Sequence, residues 1–173
     1  MKALELFDLT GKVAMVSGGG DGIGRAMATA LADAGARVVV FSRRIEKCEA
    51  VAHEIEAAGG RALAFQCDIN REGDVDAVLG KTLGEFGQID ILVNNSGRTW
   101  GASPEDMKFE DWLKVIDLNV NGVFRCTQAV GREMIKRRSG KIISISSYAG
   151  SRGGDPAYLN AIAYNTSKGA VNA

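Results

Sequence analysis

Lys12-Val13-Ala14-Met15-Val16-Ser17-Gly18-Gly19-Gly20-Asp21-Gly22-Ile23-Gly24 is the stretch that decides the fold. A short apolar strand, Lys12 to Ser17, runs straight into a glycine-rich loop. An alanine-rich helix follows from Arg25 to Ala34, and Gly35 is its predicted stop. The strict spacing Gly-x-Gly-x-x-Gly is absent, because Ile23 or Arg25 fills the last required position. What stands there is Gly18-x-x-x-Gly22-x-Gly24. Glycines at a strand-to-helix turn let the backbone approach a pyrophosphate, and the helix N-terminus adds amide donors and a positive dipole end. A tight turn with no ligand would carry the same residues.

The alternation continues along the chain. Arg37 to Ser42 is an uninterrupted apolar run, as in strands buried on both faces of a parallel sheet. Cys48, Val51, Ala52 and Ile55 recur at helical spacing, and Gly59-Gly60 ends that helix. Ala62 to Cys67 reads as a third strand, closing on Asp68. Val75, Val78, Leu79, Leu83 and Phe86 mark a third helix stopped by Gly87, and Ile89 to Val93 a fourth strand. Ser103-Pro104-Glu105-Asp106 has the form of a helix start, with an N-cap serine and proline at the first position. A long helical region then spans Trp112 to Arg138, a fifth strand Lys141 to Ser146, and a further helix begins at Ala157. Such a series predicts an α/β fold: a Rossmann-like, doubly wound parallel sheet in a three-layer αβα sandwich, with right-handed connections. The last of the five strands would lie at or near an unprotected edge. No domain boundary is visible, so residues 1–173 are expected to form one domain.

Composition excludes several functions. Lys+Arg and Asp+Glu both total 21, and zero net charge argues against a nucleic-acid partner. No apolar run is long enough to span a bilayer, and Met1 to Thr10 lacks a signal-peptide core. Cys48, Cys67 and Cys126 are far apart and read as reduced thiols of a cytoplasmic protein. His53 is the only histidine, read as a helix-surface residue, so a multi-histidine metal site is not expected.

Two further stretches carry chemistry. In dinucleotide folds an acid about 20 residues beyond the glycine loop binds the ribose 2′-hydroxyl. Here the second strand ends at Ser42 and is followed by Arg43 and Arg44. A guanidinium in place of the acid favours a 2′-phosphate, hence NADP(H) over NAD(H). Asp21 would oppose that phosphate if close, and the arginines could equally be a solvated helix start. Near the end of the chain, Tyr164-Asn165-Thr166-Ser167-Lys168 puts a phenol and an ammonium at i and i+4 on one helical face. A neighbouring cation favours the phenolate, which suits proton exchange with a carbonyl or alcohol oxygen. A half-buried tyrosine beside a solvated lysine is the plain alternative.

The glycine loop, Asn94-Asn95-Ser96-Gly97, Asn119, Ser147 and Tyr164-x-x-x-Lys168 occur in this order. The ordered set resembles the short-chain dehydrogenase/reductase family, in its small single-domain branch. The resemblance covers nearly the whole chain from Leu9, with Ser17 for the family's threonine and Ser96 for its alanine. It implies Tyr164 as general acid/base, Lys168 tuning it and holding the nicotinamide ribose, and Ser147 bonding the reacting oxygen. Asn119 matches the asparagine that holds a proton-relay water. The cofactor would be held by Gly18, Gly20, Asp21, Gly22, Ile23 and Gly24, by Ser42, Arg43 and Arg44, by Asp68 and Ile69 at the adenine, and by Asn94, Asn95, Ser96 and Gly97. Ser146 rivals Ser147, and Tyr158 rivals Tyr164, although Ile162 stands where its lysine should be. The longer interval before Tyr164, Arg152 to Ile162, would border the substrate entrance.

Family members continue with two more strands and a substrate lid, so the resemblance also implies a chain truncated at Ala173. The opening Leu6 to Ala14 looks like the sugar-acid dehydrogenases of the family, such as gluconate 5-dehydrogenases, and almost as much like its 3-oxoacyl carrier-protein reductases. The implied activity is hydride transfer between NADP(H) and a secondary alcohol or ketone, in a homodimer or homotetramer formed through the Trp112–Arg138 helix. The alternative is a non-catalytic dinucleotide-binding or assembly protein of the same fold, against which the intact Ser147/Tyr164/Lys168 set argues.

Overall fold

The computed structural model describes residues 3–153 and 160–173. After a 3-10 turn, Ala3–Phe7, the chain alternates β1 (Val13–Ser17), α1 (Gly22–Asp33), β2 (Arg37–Ser42), α2 (Ile45–Ala57), β3 (Arg61–Gln66), α3 (Glu72–Phe86) and β4 (Ile91–Asn94). A helical run follows: α4 (Phe109–Ile116), a π-helical stretch (Asp117–Gly122) and α5 (Val123–Arg137). Then come β5 (Lys141–Ser144), a 3-10 turn (Tyr148–Gly150) and α6 (Ile162–Asn172).

The strands form a five-stranded parallel sheet in the order β3-β2-β1-β4-β5. Because side chains alternate along a strand, each face has its own core. Val13, Met15, Val39, Phe41 and Leu92 pack against Val75, Val78 and Phe86 of α3 and Cys126, Val130 and Met134 of α5. Ala14, Val16, Val38, Val40 and Val93 face Ala28 of α1 and Cys48, Val51, Ala52 and Ile55 of α2. Layers on both faces make the sheet doubly wound. The chain changes face between β3 and β4, so β1 and β4, adjacent in space, flank the switch point. Open α/β sheets bind ligands in the crevice outside the carboxyl ends of their strands at such a point.

The helix predicted from Ser103 is not there. Ser103 Oγ donates to Asp106 Oδ2 at 2.8 Å and its carbonyl accepts the Asp106 amide, closing an isolated turn. With that hydroxyl spent, the helix starts only at Phe109, where Glu110 and Asp111 favour a first turn. The run predicted from Trp112 to Arg138 is interrupted by the π stretch around Asn119. β4 begins at Ile91; just before it the Asp90 amide donates to the Val13 carbonyl (2.9 Å), its carbonyl accepts the Lys141 amide (2.8 Å) and its side chain accepts the Val13 amide (2.9 Å). β5 ends at Ser144, two residues before the predicted Ser146. Among the described residues it pairs with β4 alone, and Ile142 and Ile143 on it are exposed. The last helix starts at Ile162; Ala157 and the rival Tyr158 lie outside the described residues. His53 is exposed on α2.

Candidate active site

A cavity of about 570 Å³ opens at the carboxyl ends of β1 to β4. Gly18, Gly20, Asp21, Gly22, Ile23 and Gly24 line one wall. Ser42 at the end of β2, Arg43 and Arg44 just beyond it, and Asp68 and Ile69 after β3, line the next. Asn95, Ser96 and Gly97 after β4 complete it. Lys47, Cys67 and Leu118 also line the cavity and were not predicted. Lys47 sits one helical turn beyond Arg44, a spacing that could have pointed to it.

The loop is built by close backbone approach. Gly18 has φ +64°, and a Cβ there would meet Asn95 Nδ2 at 3.0 Å. A Cβ on Gly24 would lie 2.2 Å from the Gly18 carbonyl oxygen. The Asn95 side chain ties the two strand ends together, donating to the carbonyls of Ser17 (3.1 Å) and Gly18 (3.2 Å). Ser17 Oγ reciprocates by accepting the amides of Asn95 and Ser96, each at 3.1 Å. Asn94 departs from the expectation. Strand alternation puts it on the α5 face with Leu92, where its Nδ2 donates to Thr127 Oγ1 (2.9 Å) and Ser144 Oγ (3.3 Å), and it does not line the cavity.

Charge at the cavity rim is shared. Asp21 Oδ2 accepts from Lys47 Nζ at 2.5 Å and from Arg44 Nη2 at 2.9 Å. The Lys47 hydrogen bond, with both cations adding to it, holds the Asp21 carboxyl below the usual carboxylate range. Asp21 is the N-cap of α1 but makes no side-chain cap bond, so the first amides of the helix are left for another acceptor. Cys67 is a neutral thiol in the wall, pushed up to about 12 chiefly by burial.

The second group of residues gathers on α6. Lys168 is 6% exposed; its Nζ donates to the Ile145 carbonyl at 2.5 Å and lies 5.7 Å from the Tyr164 ring centroid. Burial lowers its pKa. Ser146 Oγ donates to the Lys168 carbonyl at 3.1 Å, so this rival serine is occupied with the α6 backbone. Ser147 opens the adjoining 3-10 turn, its Oγ accepting the Ala149 amide at 3.2 Å. That turn packs tightly on α6: a Cβ on Gly150 would lie 2.5 Å from the Lys168 carbonyl carbon.

Asn119 joins the two groups. Its Oδ1 accepts the Arg98 amide, and its Nδ2 donates to the Arg98 carbonyl and to Ser167 Oγ, all at 2.9 Å. Ser167 Oγ in turn donates to the Tyr164 carbonyl at 2.7 Å. Both amide protons are therefore spent on protein, and the side chain positions the loop after β4 against α6. Gly97 completes the junction, since a Cβ there would lie 3.8 Å from Lys168 Nζ.

A doubly wound αβα sheet with its cavity at the switch point is a Rossmann-like protein, and that is the class the fold and site define. Residues 12–173 match the model of the short chain dehydrogenase family, to which the chain belongs. It is 45% identical over 164 residues to the 3-oxoacyl-(acyl-carrier-protein) reductase of Synechocystis sp., covering 94% of this chain and 65% of that protein. It is 40% identical over 153 residues to the 3-oxoacyl-(acyl-carrier-protein) reductase of Staphylococcus aureus, covering 88% and 62%. The crystal structure of a short-chain type dehydrogenase/reductase from Mycobacterium marinum superposes with a TM-score of 0.94 at 39% identity, over 98% of this chain and 66% of that one. The chain thus spans a little under two thirds of the length of these relatives.

Proposed function

We propose that the protein is an NADP(H)-dependent oxidoreductase interconverting a secondary alcohol and a ketone, with Tyr164 as general acid/base. The observation that carries the reading is the buried Lys168, fixed on the Ile145 carbonyl and set under the Tyr164 ring, with its Nζ next to Gly97 of a glycine-lined cavity that neither Tyr164 nor Lys168 itself lines. The cavity fits a dinucleotide. Glycine backbone forms its floor, uncapped α1 amides face a pyrophosphate position, and Arg43, Arg44 and Lys47 stand where a 2′-phosphate would be read. The cofactor supplies or accepts the hydride.

The chain's own residues handle the proton and the orientation. Tyr164 gives its phenolic proton to the carbonyl oxygen in reduction and takes it back in oxidation. Lys168 provides a fixed positive charge below the ring. Ser147 holds the substrate oxygen, Ser146 being committed to α6. The reductases named among the relatives make a 3-oxoacyl thioester one candidate substrate. Residues 1–173 act as one domain in this reading. The reading includes a cytoplasmic location; assembly as a homodimer or homotetramer is supported by apolar side chains left open on α4 and α5: Phe109, Leu113, Phe124 and Ile135. Among the described residues no helix is long and apolar enough to cross a membrane.

The test is nicotinamide fluorescence on titration, then turnover of a ketone panel by wild type and Tyr164→Phe. The variant is expected to bind cofactor normally and to lose about 10²–10⁴-fold in turnover. Cofactor binding without turnover in the wild type would favour the non-catalytic alternative.

A further inference from the structure

The segment from Gly97 to Ala102 is strung between two anchors. At one end, Gly97 lies against Lys168 Nζ and Asn119. At the other, the Ala102 amide donates to the Asn160 carbonyl at 3.0 Å, and Ala102 forms a parallel bridge with Ala161. In between, both backbone polar groups of Arg98 are held by Asn119. Residues 98–101 therefore form a wall alongside the part of α6 that carries Tyr164.

The wall is cationic and aromatic. The Arg98 guanidinium carbon lies 5.8 Å from the Trp100 ring centroid, and Lys114 Nζ, reaching over from α4, lies 5.3 Å from it. Asp111 pairs with Lys114 at 2.7 Å. Among the described residues Arg98 pairs with no carboxylate. Two cations against one acid leave the cluster net positive. Stacking on an indole holds a guanidinium in place without consuming its in-plane donors. A pre-ordered fork with free donors recognises the oxygens of a carboxylate or a phosphate in a bidentate pair.

We infer that this wall binds an anionic group, a carboxylate or a phosphate, carried by the substrate away from its reacting carbonyl. The inference rests on the oxidoreductase reading above for the position of that carbonyl. Arg98 is the main contact, Trp100 its platform, and Lys114 a second, partly neutralised cation. A small anion is favoured over an acidic protein surface because Arg98 sits on the wall beside the Tyr164 end of α6, its backbone fixed by Asn119.

The test uses the cofactor-loaded protein and three matched ligands: a keto acid, its methyl ester and a phosphorylated hydroxyketone. Calorimetry measures binding, and cofactor absorbance measures turnover. At least one anionic ketone is expected to bind about tenfold or more tightly than the ester, and the tighter of the two identifies the anion. Added salt should weaken the anions only. Arg98→Gln should erase most of the preference, Arg98→Lys should restore part of it, and Lys114→Gln should have the smaller effect. Equal affinity of both anionic ketones and the ester, a preference unchanged in Arg98→Gln, or no binding of any ligand overturns the inference. So does activity confined to ketones tethered to an acidic protein. Anion binding without turnover would retain this inference and sink the oxidoreductase reading. Turnover indifferent to charge would do the reverse.

Discussion

The two halves of the site are made differently. The cavity at β1 and β4 is shaped by backbone: Gly18, Gly24 and the strand ends clamped by Asn95 and Ser17. The half at α6 is assembled from side chains of distant segments, with Lys168 on Ile145, Ser146 on the Lys168 carbonyl, and Asn119 between Arg98 and Ser167. A backbone-built site fails by obstruction, because nothing can move aside. A side-chain-built site fails by losing a group, while its packing survives.

The largest effect expected from this contrast is at Tyr164. Tyr164→Phe keeps the ring over Lys168 and deletes only the hydroxyl. The loss of about 10²–10⁴-fold in turnover should therefore come with an unchanged thermal midpoint. A marked fall in the midpoint would show that the phenol is structural and would break the contrast.

Gly24→Ala comes next. The added methyl would sit 2.2 Å from the Gly18 carbonyl oxygen and 2.5 Å from Asn95 Nδ2, both fixed. Overpacking of this kind costs about 1–3 kcal/mol, so stability should fall and cofactor affinity should drop with it. Calorimetric unfolding with a cofactor titration checks both. If the variant melts and binds as wild type does, the loop is softer than its contacts imply.

This difference also explains what could be read in the sequence. The glycine spacing and the apolar runs report backbone geometry and burial directly, so the parallel sheet and the course of the loop were visible in them. Tyr164 and Lys168 were visible because a helix fixes their separation. Asn94 was misplaced because its motif does not say which face of β4 it occupies. The Ser103 start failed because its hydroxyl had a nearer partner in Asp106. The partners of Asn119, and the cluster of Arg98, Trp100 and Lys114, depend on contacts between segments far apart in the chain. No local spacing encodes them, and the π stretch that turns Asn119 inward has no signature of its own.

A smaller effect sharpens the account of the cavity wall. Arg43 lines the cavity, and no acid pairs with it among the described residues. Arg43→Ala should weaken NADP(H) relative to NAD(H) by about tenfold or more, the worth of one charged hydrogen bond. Equal losses for the two cofactors would mean that Arg43 does not read the 2′-phosphate.

The smallest effect, and the one that probes the rim most finely, is at Asp21. Its carboxylate holds Arg44 and Lys47, and a 2′-phosphate would have to compete with it for both. The pairs are largely exposed, with Asp21 at 53% and Arg44 at 60%. Exposed pairs are worth about 0.2–1 kcal/mol, so breaking them costs little stability. Asp21→Asn removes the competing charge while keeping the shape, and it frees both cations for phosphate. Affinity for NADP(H) should rise up to about fivefold relative to NAD(H), on the same energy scale, with the thermal midpoint almost unmoved. Salt should shrink the gain, because the freed cations act through solvent. Binding isotherms for both cofactors at low and high salt decide the matter. If NADP(H) weakens instead, Asp21 is holding Arg44 and Lys47 in the orientation the phosphate needs, and the trio is a support for the anion rather than a rival to it.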